Sequence, residues 1–505
     1  MDQWSIQKKR QSDKSAASGV LHPGSWARIA SLTFSALLIT HSFPIFVKQA
    51  HALTSFERMS SLLAATPEGG WVKVSTNSFS DAWPTGDDAV PGTLGWPGLV
   101  VSAWSSFAWD STRGNLILWG GGHANYAGNE VYVWDGATGN WGLGSLPSRV
   151  NIADGFIVDG AAPQSSHTYD NNLYLPVNDM FLTFGGAAWR TGGGFQKTDG
   201  TNVTRAGPYL WDPAKADPNR VGGTTGSGWN TTNAAPGGNM WIDRQGQWTG
   251  SQPQAISTTA YRTENGHDVV YLTAEDGAVS GFPSLYRYTL GDVRNGGQDQ
   301  WEKIGVSWNT VGFQTAGTLD PIHNLYIKTA TVSGPYTSDL TIWDLNNANA
   351  ANPSSNQDIG INLIKSDGSD FIMTGFYGID YDTASNRIYL WDGNNGGGKV
   401  WYADVITGAD GHIGSNTTWT VYEADSSTLD HPHGNFGIAV LGKWHYDPAL
   451  NAFIALDEVS PAGGTSWNAD VWLYKPAAAI PEPETYALFL AGLGLIGWFA
   501  HRRRC

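Results

Sequence analysis

The sequence predicts an all-β fold, a six-bladed β-propeller closed by pairing of its N-terminal and C-terminal strands. Three observations carry this. A unit of four short strands recurs between residues 71 and 475 at intervals of about 55 to 90 residues, the pattern of small sheets arranged around an axis. The 505-residue chain holds 63 Gly and 25 Trp but only 15% charged residues, which suits tight turns and aromatic packing and argues against disorder. The last copy of the unit also lacks a strand, and an orphan segment before the first copy can supply it.

The first copy is the clearest. SSFAWDSTRGNLILWGGG gives a strand from Phe107 to Trp109, a turn from Asp110 to Asn115, a strand from Leu116 to Trp119 and the glycines Gly120 to Gly122. NEVYVWDGATGNW adds a strand from Val131 to Trp134, a turn at Asp135 and a fourth strand bearing Trp141. HTYDNNLYLPVNDMFLTFGG, TAYRTENGHDVVYLTAEDG, LDPIHNLYIKTA, GIDYDTASNRIYLWDG and GKWHYDPALNAFIALDE open the later copies. Only the first two keep a glycine doublet after the second strand. The sixth copy stops after its third strand, near Tyr474, so GGWVKVSTN around Trp71 is expected to pair there and remove the open edges. A seventh blade would have to come from the long stretch Gly185 to Gly250, whose Gly, Asn and Thr content equally suits a large loop.

The glycine doublet, the aromatic strand, Asp and Trp at these spacings resemble a kelch repeat, the blade type of galactose-oxidase-like propellers. That family's copper radical cofactor joins a Tyr to a Cys. The one cysteine here is Cys505, outside the body, so that cofactor is excluded and no internal disulfide staples the body.

The two ends read as targeting segments. Residues 1–52 carry a basic stretch from Lys8 to Lys14, an apolar run from Ile29 to Ile39 and the A-x-A pattern Ala50-His51-Ala52, as in a secretory signal peptide cut after Ala52. An N-terminal membrane anchor is the alternative. Residues 53–70 read as a linker, 71–475 as the propeller and 476–505 as a tail. In the tail, Pro481-Glu482-Pro483 precedes an apolar stretch from Tyr486 to Ala500 and the cluster Arg502, Arg503 and Arg504. These parts resemble the PEP-CTERM sorting signal of Gram-negative, exopolysaccharide-producing bacteria. The resemblance implies an exosortase-type protease as partner, transient anchoring in the inner membrane by a helix over 486–500, and delivery to the cell surface or extracellular matrix. A helix of that length spans about 22 Å, short of the roughly 30 Å hydrocarbon core.

Charge limits the partners. Subtracting the ends, +4 and +1, from the overall −16 leaves about −21 for the middle. Nucleic acid and anionic lipid need Lys and Arg to neutralise phosphates, so both are excluded.

Propeller strands alternate in direction. Loops joining second to third strands therefore share one edge of the ring with the connections between blades. That rule gathers His123, Asn125, Tyr126, Glu130, Asp154, His167, Tyr377, His431 and His433 on one edge as the candidate ligand face, and sends His267, His323 and His412 to the other. Imidazoles and carboxylates so placed can bind a hydroxyl-rich ligand or a transition metal, or merely tie loops together. Trp119, Trp134, Trp211, Trp343 and Trp391 read as packing residues, and Trp83, Trp96, Trp189 and Trp229 as exposed ones that could stack on sugars. No nucleophile, phosphate loop or metal set of recognisable spacing emerges, so no cofactor is assigned and a non-enzymatic role is favoured. The expected function is binding of a glycan or another cell-surface or exopolysaccharide component. The alternatives are a metal-dependent oxidase or polysaccharide-acting enzyme that uses the histidines, and a structural matrix scaffold.

Overall fold

In the computed structural model the residues described are 53–477, apart from 154, 160, 190–207, 225–234, 276–281, 309–312, 331–337, 374–375, 393–397, 415–417, 425–426, 435–439 and 460–467. The expected signal segment and the apolar stretch of the tail lie outside them. Among the described residues no helix is long and apolar enough to cross a membrane.

The body is all-β in a propeller-like arrangement, with four four-stranded sheets and one eight-stranded sheet. The first copy of the repeat forms strands Phe107–Asp110, Asn115–Leu118, Tyr132–Asp135 and Asn140–Leu143, paired in sequence order. The eight-stranded sheet contains two such antiparallel runs. Their outer strands, Ile359–Lys365 and Thr418–Ala424, join in parallel register from Asn362↔Thr418 to Lys365↔Val421. In the long stretch Gly185 to Gly250 the described strands, Ala187–Ala188, Tyr209–Trp211 and Trp241–Asp243, add no further four-stranded sheet.

One local device makes the turn after the first strand. Asp110, Asp320, Asp382 and Asp447 each end an inner strand, and each Oδ1 accepts the backbone N–H groups two and three residues on. Each turn then closes through a left-handed residue, Gly114, Asn324, Asn386 or Asn451, with φ between 48° and 68°. Asp supplies the side-chain acceptor, and Gly or Asn tolerates that backbone.

The turns of neighbouring sheets meet along one edge. Arg113 pairs with Asp179 at 2.6 Å, Asp268 accepts the N–H groups of Val177 and Asn178, and Arg262 donates to Asn324 Oδ1 at 2.6 Å. The opposite edge carries the connections between sheets, where Tyr169 N donates to Trp104 O, Val440 N to Phe376 O and Phe107 N to Gly442 O.

The expected closure is present. Strand Gly70–Lys73 pairs antiparallel with Asn468–Lys475, placing Trp71 opposite Tyr474. The Trp71 ring lies 5.0 Å from Tyr474, 5.7 Å from Trp444 and 5.8 Å from Trp391, and its Nε1 donates to Gly398 O. The segment expected as a linker carries the helix Ser55–Ala65 instead. Thr54 and Glu57 form its capping box, and Met59 and Leu63 are buried against the first sheet. Eleven residues make only about three helical turns, too short a pattern to announce a helix apart from the sheet it packs on.

Trp71→Ala is expected to cost about 3–5 kcal/mol of unfolding free energy, measured by chemical denaturation. A loss below about 1 kcal/mol would mean that the terminal pairing contributes little.

Candidate functional site

The site is built from glycines outward. The Gly120–Gly122 run follows the second strand of the first sheet, and the turn beyond it lies directly on the backbone of Ser165 and Ser166. A Cβ on Gly122 would sit 2.3 Å from Ser165 O and 2.5 Å from Ser166 Cα. From the other side Gly186 packs on the same segment, where a Cβ would come within 2.0 Å of His167 O. Both glycine doublets of the sequence thus grip residues 165–167.

That close approach sets His123 over His167. Asn125 N and Tyr126 N donate back to Gly122 O and Gly121 O, closing a turn in which His123 and Ala124 adopt φ of 51° and 65°. The His123 ring is exposed and lies 5.1 Å from that of His167, which is 4% exposed. The Asn125 amide lies 2.8 Å from His167 Nε2, and with its NH₂ turned there it also reaches the carbonyls of Gly122 and His123 at 3.3 Å. Trp104 packs 4.8 Å from His167, and Tyr169 stands edge-on at 6.0 Å; both have φ of 49°. Burial and the neighbouring His123 push the His167 imidazole down to about 3, against a backbone hydrogen bond at Gly122, so the ring is neutral at ordinary pH.

Tyr126 and Glu130 lie beneath this turn. Both Tyr126 and Tyr132 donate to Glu130 Oε1 at 2.6 Å, and burial raises the carboxyl group against those two bonds. Gly128 leaves room for the pair, since a Cβ there would meet Glu130 Oε2 and the Tyr126 ring at 2.4 Å. Their place is under the site, holding its floor.

The remaining candidates lie apart from this cluster. Tyr377 is 3% exposed and donates to Asp392. His431 bonds the carbonyl of Pro432 through Nδ1 and packs on Gly398. His433 is exposed, and its backbone N and Nδ1 meet Asp457 Oδ2 at 2.9 and 3.1 Å. Burial lifts Asp457 to about 6 against those bonds. Asp154 lies outside the described residues. Among the described residues no group of three His, Cys, Asp or Glu side chains is placed to hold a metal ion. His267, His323 and His412 are with the turns of the other edge, where His323 bonds Asp320 and His412 bonds Asp344.

The tryptophans divide differently from the sequence reading. The five packing residues are buried as expected. Trp189 is also buried, at 3% exposure, because its indole covers Gly155; Trp83 and Trp96 are half-buried, and Trp229 lies outside the described residues. Among the described residues Trp308, at 58% exposure, is an exposed indole.

A second polar locus escaped the sequence reading. Six inner strands line a central cavity of about 370 Å³, among them those bearing Asn172, Thr259, Thr318, Asp380 and His445. Asp380 accepts from Thr318 Oγ1 at 2.6 Å and Tyr446 N at 2.7 Å. Its Oδ2 is 3.7 Å from His445 Nδ1. Burial would lower the His445 pKa, but Asp380 and then Asp170 outweigh it and raise the group. Asp170 is lifted to about 7 by burial, against N–H donation from Gly317 and Thr259 and the nearby His445. Nothing in WHYD and TYDNN marks these residues as neighbours, because they lie far apart in the chain.

Comparison with known proteins assigns the tail. Residues 479–504 match the PEP-CTERM protein-sorting motif. No curated protein matches the chain. Among solved structures, the Penicillium chrysogenum alpha-L-arabinanase complexed with arabinobiose aligns at 11% identity over 75% of this chain and 95% of its own, with a TM-score of 0.37. The sorting motif implies export, processing by an exosortase and sorting to the surface of a Gram-negative bacterium.

A histidine whose folded pKa is depressed stabilises the protein above its unfolded value near 6.5, and that contribution fades as pH falls toward about 3. The advantage of the natural protein over His167→Gln is therefore expected to shrink between pH 7 and pH 4, by up to about 1.4 kcal/mol per unit. Urea denaturation across that range measures it. A pH-independent difference would show that His167 is not held neutral.

Proposed function

We propose that this chain is an exported, surface-sorted, six-bladed kelch-like propeller that binds a neutral glycan on the edge bearing His123 and His167. The six-blade reading divides the eight-stranded sheet at its single parallel pairing, giving two ordinary four-stranded blades. It agrees with the six inner strands around the cavity. The glycine doublets that suggested kelch blades serve the close approach at residues 165–167.

One observation carries the binding site. Three non-glycine residues with left-handed backbone, Trp104, His123 and Tyr169, surround one neutral, buried imidazole. Strain of this kind costs on the order of 1–3 kcal/mol per residue and persists where the surroundings enforce it, typically at functional sites. The groups assembled are uncharged hydrogen-bonding and aromatic ones, which suits hydroxyls and the apolar face of a sugar ring. The strongly negative body disfavours an acidic polysaccharide, and the sorting motif supports delivery to the cell surface.

Titration of the purified protein against neutral and acidic polysaccharides tests this. Neutral chains are expected to bind, and His123→Ala to weaken binding at least about ten-fold, or 1.4 kcal/mol, with an unchanged melting temperature because the ring is exposed. Binding that survives His123→Ala would remove the site, and binding restricted to acidic chains would remove the ligand class.

A further inference from the structure

We propose that a cavity between the first sheet and the sheet containing Tyr209–Trp211 is a second ligand site, one that takes a free neutral mono- or disaccharide. It lies beside the turns of the first sheet, apart from the edge bearing His123, and its ligand is of another size class.

One glycine carries the inference. Strand Asn140–Leu143 pairs with Tyr132–Asp135 in unbroken register, so Gly142, opposite Val133, marks no bulge. A glycine inside a strand weakens it, and otherwise marks a place where a backbone or a ligand comes close. Gly144, two residues on, has its reason within the protein: a Cβ there would meet Cζ2 and Cη2 of Trp211 at 3.0 Å and Val133 Cγ2 at 3.2 Å. Gly142 has no such reason. A Cβ on it would meet nothing within 4 Å, and its φ lies outside the left-handed region.

The open space is a cavity of about 350 Å³, bounded on its other side by Pro213 and Ala216. Strand alternation lays out its first-sheet wall in two rows. Ile117, Val133 and Gly142 stand side by side as an apolar row. Two residues along each strand, Asn115, Asp135 and Asn140 form a polar one.

The polar row presents donor, acceptor and donor in turn. Asn115 Oδ1 accepts from Gly136 N at 3.0 Å, and Asn140 Oδ1 accepts from Thr76 Oγ1. Those bonds fix the two amides, whose NH₂ groups donate to no partner among the described residues. Between them the Asp135 oxygens accept from Ala137 N at 2.9 Å and Thr138 Oγ1 at 3.0 Å and keep lone pairs to spare.

That layout selects the ligand. A sugar hydroxyl both donates and accepts, so successive hydroxyls match alternating NH₂ and carboxylate groups, while the C–H side of the ring covers Val133 and Gly142. Charge agrees with this. Asp110 pairs with Arg113 at 2.8 Å, and Arg58 stands close enough to Asp135 for their charges to interact, so the site favours an uncharged ligand. Ligand pockets run from roughly 300 to 1,000 Å³, and a cavity at the small end holds a free mono- or disaccharide rather than a long chain.

Gly142→Leu tests the site, since it grows a side chain into the cavity where the first added carbon clashes with nothing. Asn140→Ala, which removes one NH₂ donor at an exposed position, is the second variant. The purified natural chain and both variants are titrated calorimetrically with glucose, galactose, mannose, maltose and lactose, and their melting temperatures are compared. At least one sugar should bind the natural chain. Gly142→Leu should weaken that binding at least about ten-fold without lowering the melting temperature, and Asn140→Ala should weaken it at least about three-fold, as for one lost hydrogen bond. Binding left unchanged by Gly142→Leu overturns the site, as does failure of every sugar to bind. Should Gly142→Leu lower the melting temperature, Asn140→Ala decides, and unchanged binding is again the overturning result. Titration with long polysaccharides judges the edge bearing His123 on its own: failure there leaves this site standing, and failure here leaves that one.

Discussion

The structure depends on one pairing, between the first strand of the body and the last. Gly70–Lys73 and Asn468–Lys475 stand about 400 residues apart, and bringing such distant segments together costs on the order of 5 kcal/mol of chain entropy. No disulfide offsets that cost, because the only cysteine lies in the tail. What offsets it is burial: Trp71, 3% exposed, sits among Tyr474, Trp444 and Trp391, drawn from both sides of the closure. A large indole is suited to this position because it reaches across two sheets and still finds a partner for its N–H at Gly398.

Around the cavity the inner strands face a different difficulty. Strands that pair satisfy one another, but neighbouring inner strands do not pair with each other in a ladder. Side chains take over that role. Asp170 accepts the N–H groups of Thr259 and Gly317, from two sheets at once, and Asp380 accepts the hydroxyl of Thr318 and the N–H of Tyr446. A buried carboxylate is costly unless hydrogen-bonded, which explains why Asp170, 5% exposed, is bound by donors from other strands. Their acidity follows: Asp170, enclosed and next to Asp380, is harder to ionise, while His445 between them is easier to protonate.

How much of this the sequence disclosed depended on distance along the chain. The first sheet was legible because WDSTRGN and WDGATGN encode their turns within a few residues, and because strand alternation is local. The closure was legible for a different reason: a missing strand at one end and a spare one at the other left a single simple solution. The helix Ser55–Ala65 was missed since it earns its place by packing under turns of the first sheet, contacts that no local pattern announces. Likewise, HTYD and GGGHANY were marked as candidates, but not that Asn125 would lock the tautomer of His167. His433 was marked and Asp457 was not, since they stand 24 residues apart and meet only through the fold.

The glycine doublets join these two levels. Locally they look like turn punctuation, and as such they signalled the repeat. In three dimensions Gly122 and Gly186 are needed because backbone from another segment passes where a side chain would be. The sheet periodicity alone would have tolerated alanine at either position. What forbids it is the segment Ser165 to His167, threaded between the two doublets, and that threading brings His167 beneath His123. Only the first two copies of the repeat keep the doublet directly after the second strand. The residue that identifies the repeat and the residue that builds the site are therefore the same glycine.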